Sequence, residues 1–201
     1  NRVRRQRQMC IRDRFYNKSL SIDPYYPDTH LNLSLALLQS NKINEGLKEY
    51  EWRHKTKKGL LRQRHFRQPL WDGQVSLKEK SILLWTEQGI GDTMNWSSSL
   101  SFVSNFAKHV ILECQPKLVP LLSRSFPNIE VKEEDRSLDA TRDDFDLHLP
   151  MGSLYFYFID DMMKNNKPES YLLPNSARVK YWQNNLHSVG QGPYIGICWK
   201  S

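Results

Sequence analysis

The segment Ser81-Ile-Leu-Leu-Trp-Thr-Glu-Gln-Gly-Ile-Gly-Asp-Thr93 constrains the fold of this chain more than any other. Ile82 to Trp85 is a short apolar run of the kind that forms a buried strand, and two glycines follow it before a helical pattern begins. A strand that passes through a glycine loop into a helix belongs to an open α/β sheet, where ligands bind beyond the carboxyl ends of the strands. Glycines at 89 and 91 let the backbone take φ > 0 and let a ligand come close. Asp92 stands at the start of the helix, where its carboxylate either caps the chain or does chemistry. The sequence leaves both open.

The same alternation continues downstream. Further strands are expected over Val110–Cys114, Ile129–Lys132 and Phe145–Leu149. Helices are expected from about Thr93 to Lys108, from Pro116 (a residue suited to a first helical position) to Arg124, and from Asn175 to His187. This order means βαβ units, so the fold class is α/β, with a parallel sheet over residues 81–174. Residues 175–201 read as a linker helix and the start of a further strand, Tyr194–Trp199.

Residues 15–55 are helical in pattern instead. Phe15 to Ile22 closes one helix before Asp23-Pro24 and Pro27, and Asp28 is placed to cap a second over His30–Gln39. Leu31, Leu33, Leu35 and Leu37 also fit a strand, but the caps and the following break favour helix. Asn41 is the expected cap of a third helix, Lys42–Arg53, in which Gly46 lets a neighbouring helix come close. Helix, turn, helix, turn, helix resembles the end of a tetratricopeptide array, whose period is about 34 residues. Lys58, not a proline, stands one such period after Pro24, so the array is expected to end here.

The net charge of +7 invites a nucleic-acid reading, but residues 1–14 alone carry six arginines against one aspartate. That stretch resembles translated sequencing-adapter read-through and is expected to be artefact or disordered. Residues 56–80 read as a basic linker, and Arg53 to Arg67 holds seven Lys/Arg with no acid. Such a stretch either touches phosphates or forms a solvated face. No zinc-finger spacing or aromatic–basic interleaving supports nucleic acid as a partner. No run of about 18 apolar residues is present, so no membrane span is expected. Cys10, Cys114 and Cys198 are odd in number and far apart, which fits a reduced, cytoplasmic protein without a zinc site.

The six histidines form no HxH or HxxxH pair, and no metal site is expected. His148 alone is kept, because the carboxyl end of its strand faces the expected cleft. Asp143, Asp144 and Asp146 read as a solvated loop, and Tyr155 to Phe158 as domain packing. A dinucleotide site is strained, since Met94 replaces the third glycine of the fingerprint and only Glu113 is placed to meet a ribose.

The blocks Trp52-Arg53, Pro69-Leu-Trp-Asp-Gly73 and Glu87-Gln-Gly-Ile-Gly-Asp92 resemble bacterial tetratricopeptide proteins that carry a glycosyltransferase domain similar to family 9, the heptosyltransferases. Val110–Leu118, Tyr171-Leu172 and Ile195–Trp199 fit the same pattern. The resemblance implies two Rossmann-like domains, an acceptor in the first and a nucleotide-sugar in the second. It implies inverting transfer to an acceptor hydroxyl, with Asp92 as general base and no cofactor besides the nucleotide-sugar co-substrate. Glu87, Gln88, Gly89, Gly91 and His148 are then acceptor-side residues. The acceptor would be a glycan, a lipid-linked sugar or a protein, with a protein partner at the repeats. Ser97-Ser-Ser-Leu100 departs from the Arg-Tyr pair of such relatives, and the donor domain is expected to be missing, leaving an inactive fragment. The alternatives are a scaffold protein with a non-catalytic α/β domain and an enzyme like the peptide O-linked N-acetylglucosamine transferases.

Overall fold

The computed structural model describes residues 12, 14–165 and 170–197. Helix α1 covers residues 14–22, followed by α2 (Pro27–Gln39) and α3 (Ile43–Tyr50). A 3-10 turn, Glu51–Lys55, leads into the short α4 (Lys57–Leu60). Four strands follow: β1 (Ser81–Trp85), β2 (His109–Cys114), β3 (Glu130–Glu133) and β4 (Leu147–Pro150). Between them lie α5 (Ile90–Trp96), α6 (Leu100–Val103) and α7 (Val119–Ser125), and after them α8 (Leu154–Asn165) and α9 (Ser176–Val189).

The sheet is wholly parallel, in the order β3-β2-β1-β4. That order is compatible with the first strands of a doubly wound sheet. Parallel strands covered on both faces read as continuous apolar runs, as Ile82-Leu-Leu-Trp85 does. The faces alternate along each strand. Ile82, Leu84, Val110, Leu112 and Leu149 join Trp96, Leu100, Leu122 and Leu154 in the main core, whereas Leu83, Trp85 and Ile111 pack with Phe145 and Phe66 on the other side.

The helix after the glycine loop is shorter than its pattern: it tightens to a 3-10 turn at Ser97–Ser99 and ends at Val103. Ser97, Ser98 and Ser99 each donate to the carbonyl three residues back, the local competition that makes serine a poor interior helix residue. Helix α8, which buries Leu154, Phe158 and Met162, was hidden behind an aromatic run. The described residues 194–197 form no strand, because no partner strand lies beside them among the described residues to take their N–H and C=O groups. The rest of the expected Tyr194–Trp199 strand, like residues 1–11 and 13, lies outside the described residues.

Helix α2 begins at Pro27, whose fixed φ suits a first helical position, and Asp28 makes no side-chain cap. Asn41 is not the cap of α3 either. It takes φ 61° beyond the end of α2, with Asn41 N–H on Leu38 O (3.1 Å) and Lys42 N–H on Leu37 O (3.0 Å). This is a Schellman ending, in which asparagine tolerates the left-handed conformation. Gly46 then lets α3 close on α2, since a Cβ there would lie 2.8 Å from Leu38 Cγ. His30 of α2 stacks on Trp52 at 3.8 Å, pairs with Glu49 through Nδ1 and meets Pro24 O through Nε2.

Within residues 56–80, the stretch at Leu70 runs beside β4, and Trp71 and Leu77 enter the main core. His148 N–H donates to Pro69 O (3.2 Å) and Trp71 N–H to His148 O (2.9 Å), which extends the sheet past β4. Trp71 stacks on Phe158 in the main core. Gly59 packs so closely on the preceding turn that a Cβ would lie 2.0 Å from Arg53 O. Gly59→Ala is therefore expected to cost about 1–3 kcal/mol in urea unfolding. Gly91→Ala, where a Cβ meets nothing within 4 Å, should be neutral or slightly stabilising in the same measurement.

Candidate functional site

The carboxyl end of β1 opens into a cavity of about 560 Å³. Its floor is Trp85, Glu87 and Gln88; Asp92 lies on the α5 side. The helical hairpin supplies Leu31, Leu35 and Tyr50, and the turn at α4 supplies His54, Lys57, Lys58 and Arg62. A crevice beyond the carboxyl ends of parallel strands is where open α/β sheets bind ligands.

Asp92 is exposed on the first turn of α5, and its Oδ2 accepts from Gly89 N–H at 3.2 Å. Neither Gly89 nor Gly91 takes a positive φ; Gly89 is the extended N-cap at φ −72° and ψ 170°. The loop is held by side chains instead. Gln115 Nε2 donates to Gln88 O (2.8 Å), Thr93 Oγ1 to Gly89 O (3.1 Å), and Arg62 to Glu87 O (3.0 Å). Gln88 itself donates to the Tyr50 hydroxyl at 2.5 Å, so it joins the loop to α3.

Glu87 is buried, and its carboxylate is engaged by protein. Oε1 accepts from Arg53 Nε (3.2 Å) and Nη2 (3.0 Å). Arg53 is buried as well and binds Glu51 (2.5 Å), Ser153 Oγ (2.7 Å) and Tyr50 O (3.2 Å). Ser153 donates onward to Glu51 at 2.8 Å. One guanidinium thus joins the turn after α3, the loop after β1 and the turn after β4. Burial pushes the Glu87 carboxyl above its ordinary range against the pull of Arg53. Gly152 is required beside it, because a Cβ there would lie 2.6 Å from Glu87 Oε1 and 2.8 Å from the Trp96 ring. Burial, then the Arg53 charge, lowers the His54 pKa to about 3, so at neutral pH His54 adds no charge to the cavity.

His148 does not reach the cavity. It is buried, its Nδ1 accepts from Trp85 Nε1 at 3.3 Å, and Phe66 packs edge-on to its ring at 4.7 Å. Position 148 pairs with Leu83, two residues short of the carboxyl end of β4, and lies beneath Trp85, which lines the cavity in its place. Burial and then Arg64 lower its pKa to about 4. The unfolded chain takes up that proton near pH 6.5 and the folded protein only near 4, so acidification across this window favours unfolding. The loss through His148 is on the order of 3 kcal/mol. His148→Phe should flatten the fall in urea stability between those pH values; an unchanged slope would assign the fall to other groups.

Glu113 is buried and paired with Arg64 and Arg142. It lies in a buried ionic chain that runs Asp139, Arg64, Glu113, Arg142, Asp144. Arg142 hydrogen bonds hold the Asp144 carboxyl at about 2. Asp146 also acts locally, accepting from Ser81 N–H at 2.8 Å. The stretch read as a solvated basic face therefore turns Arg53 and Arg64 into the interior. Of the seven cations between 53 and 67, Arg53 and Arg64 are the buried ones, and the spacing along the sequence does not single them out. Among the described residues no group of His, Cys, Asp and Glu has the geometry of a metal site, and no helix is long and apolar enough to cross a membrane.

Fold and cavity together define an α/β protein with a ligand-sized crevice between its sheet and a helical hairpin. Among characterised proteins the chain is similar to Protein FlbA of Caulobacter vibrioides, at 29% identity over 181 residues. The match covers 82% of this chain and 30% of that protein, so the chain spans less than a third of the relative's length. No family model and no solved structure matches.

Proposed function

We propose that the chain is the acceptor-binding part of a glycosyltransferase resembling family 9, with a Rossmann-like sheet preceded by the end of a tetratricopeptide array. The observation that carries this reading is the exposed carboxylate of Asp92 at the cavity rim, beyond the carboxyl end of β1. A sugar hydroxyl is a weak nucleophile until a positioned base removes its proton. Asp92 accepts the acceptor's hydroxyl proton as that oxygen attacks the anomeric carbon of a nucleotide-sugar. The bond from that carbon to the diphosphate breaks on the opposite face, and the configuration inverts. Gln88 and Tyr50 border the acceptor, Glu87 holds the loop through Arg53, and the protein acts in the cytoplasm.

A second reading has its own observation: Asp92 Oδ2 already accepts from Gly89 N–H, as a purely structural cap would. In that reading the α/β unit is a scaffold beside an interaction array. Asp92→Asn in the intact protein separates the two, with hydrolysis and transfer followed across a panel of nucleotide-sugars. A fall of about 100-fold or more supports the base; equal turnover in both proteins leaves only the cap.

A further inference from the structure

Three cations on the cavity wall have no part in the reaction above. Lys57, Lys58 and Arg62 are exposed and line the cavity, and none of them forms an ion pair with a carboxylate among the described residues. Arg62 donates only to a backbone carbonyl, that of Glu87. Their neighbours differ: Arg53 and Arg64 are buried in ion pairs, and Lys55 lies 3.9 Å over the Trp52 ring. The turn beneath Lys57 and Lys58 is fixed. Thr56 Oγ1 donates to Arg53 O (2.8 Å) and accepts from Gly59 N–H (3.1 Å), and Gly59 leaves no room for a Cβ. A turn fixed by its own hydrogen bonds thus presents unpaired cations to a cavity, a charge that an anionic ligand would neutralise.

We propose that Lys57, Lys58 and Arg62 form an anion subsite of this cavity. It takes the phosphate or carboxylate of a hydroxyl-bearing ligand whose ring or chain lies on Leu31 and Leu35 of α2. The helical hairpin is then a wall of the binding site as well as a neighbour of it. As a subsite for the acceptor this rests on the glycosyltransferase reading; as a binding site it does not.

Calorimetric titration of the intact protein with glucose 6-phosphate, glucuronate and glucose tests it. At least one of the two anionic probes is expected to bind, more weakly as salt is added. Glucose 6-phosphate as the tighter probe makes the group a phosphate, and glucuronate a carboxylate. Lys57→Gln combined with Lys58→Gln, both exposed and remote from the core, should weaken that binding about tenfold or more. Glucose binding as tightly as the anions, binding unchanged in the double variant, or no binding of either anion would each overturn the subsite. Anion binding in a protein that transfers no sugar would sink the glycosyltransferase reading and leave the subsite standing.

Discussion

Arg53→Met is expected to lower the unfolding free energy by about 3–5 kcal/mol, the usual cost of removing one partner from a buried ion pair. The size follows from what is left behind. Glu87 and Glu51 both lean on the same guanidinium, and Glu87 Oε2 has no hydrogen-bond partner among the described residues. Without Arg53 the Glu87 carboxylate has to take a proton or draw water into a site closed by Trp96 and Gly152. Arg53→Lys should fall between the two, because an ammonium keeps the charge but cannot span Glu87, Glu51 and Ser153 at once. The double variant Arg53→Met with Glu87→Leu should recover much of the loss, since an apolar pair in place of a buried ion pair is often neutral. Urea unfolding of the four proteins measures this. A loss below about 1 kcal/mol for Arg53→Met would mean the carboxylates reach water on their own.

The sheet was legible because its strands are short, apolar and separated by helical patterns. Ile82–Trp85 and Val110–Cys114 fall within their observed bounds, and the pattern that marked them is the burial of both faces. The cavity was legible only as a place, the carboxyl end of β1. Its walls were not, because they come from pairings across long stretches of chain: Arg53 with Glu87 and Ser153, Arg64 with Glu113 and Asp139. A one-dimensional charge pattern cannot say whether a basic stretch faces water or a buried carboxylate. His148 failed for a related reason. The expected strand Phe145–Leu149 put it near the carboxyl end, whereas β4 runs Leu147–Pro150 and leaves it beside Leu83, below the cavity. Asn41 shows the same limit at a helix end, where one residue type serves both as the start of a helix and as the end of the one before.

Asp92→Asn should leave stability nearly unchanged and reduce sugar transfer by about 10²–10⁴-fold, the range that a positioned general base contributes. The substitution suits this question because the two roles of Asp92 need different atoms. Capping needs an oxygen that accepts from Gly89 N–H, and an asparagine carbonyl accepts as a carboxylate does. Proton removal needs a basic carboxylate, which the amide lacks. Asp92→Ala loses both functions and should also destabilise the protein by about 1 kcal/mol, through the lost contact and the lost charge near the start of α5. Thermal unfolding and turnover therefore separate the variants. A base gives an inactive Asn protein with wild-type Tm. A cap alone gives an active Asn protein, and an Ala protein that is less stable with unchanged turnover per folded molecule. Asn and Ala variants that are both destabilised, with unchanged turnover per folded molecule, would place the weight of Asp92 on its charge at the helix start and remove it from the chemistry.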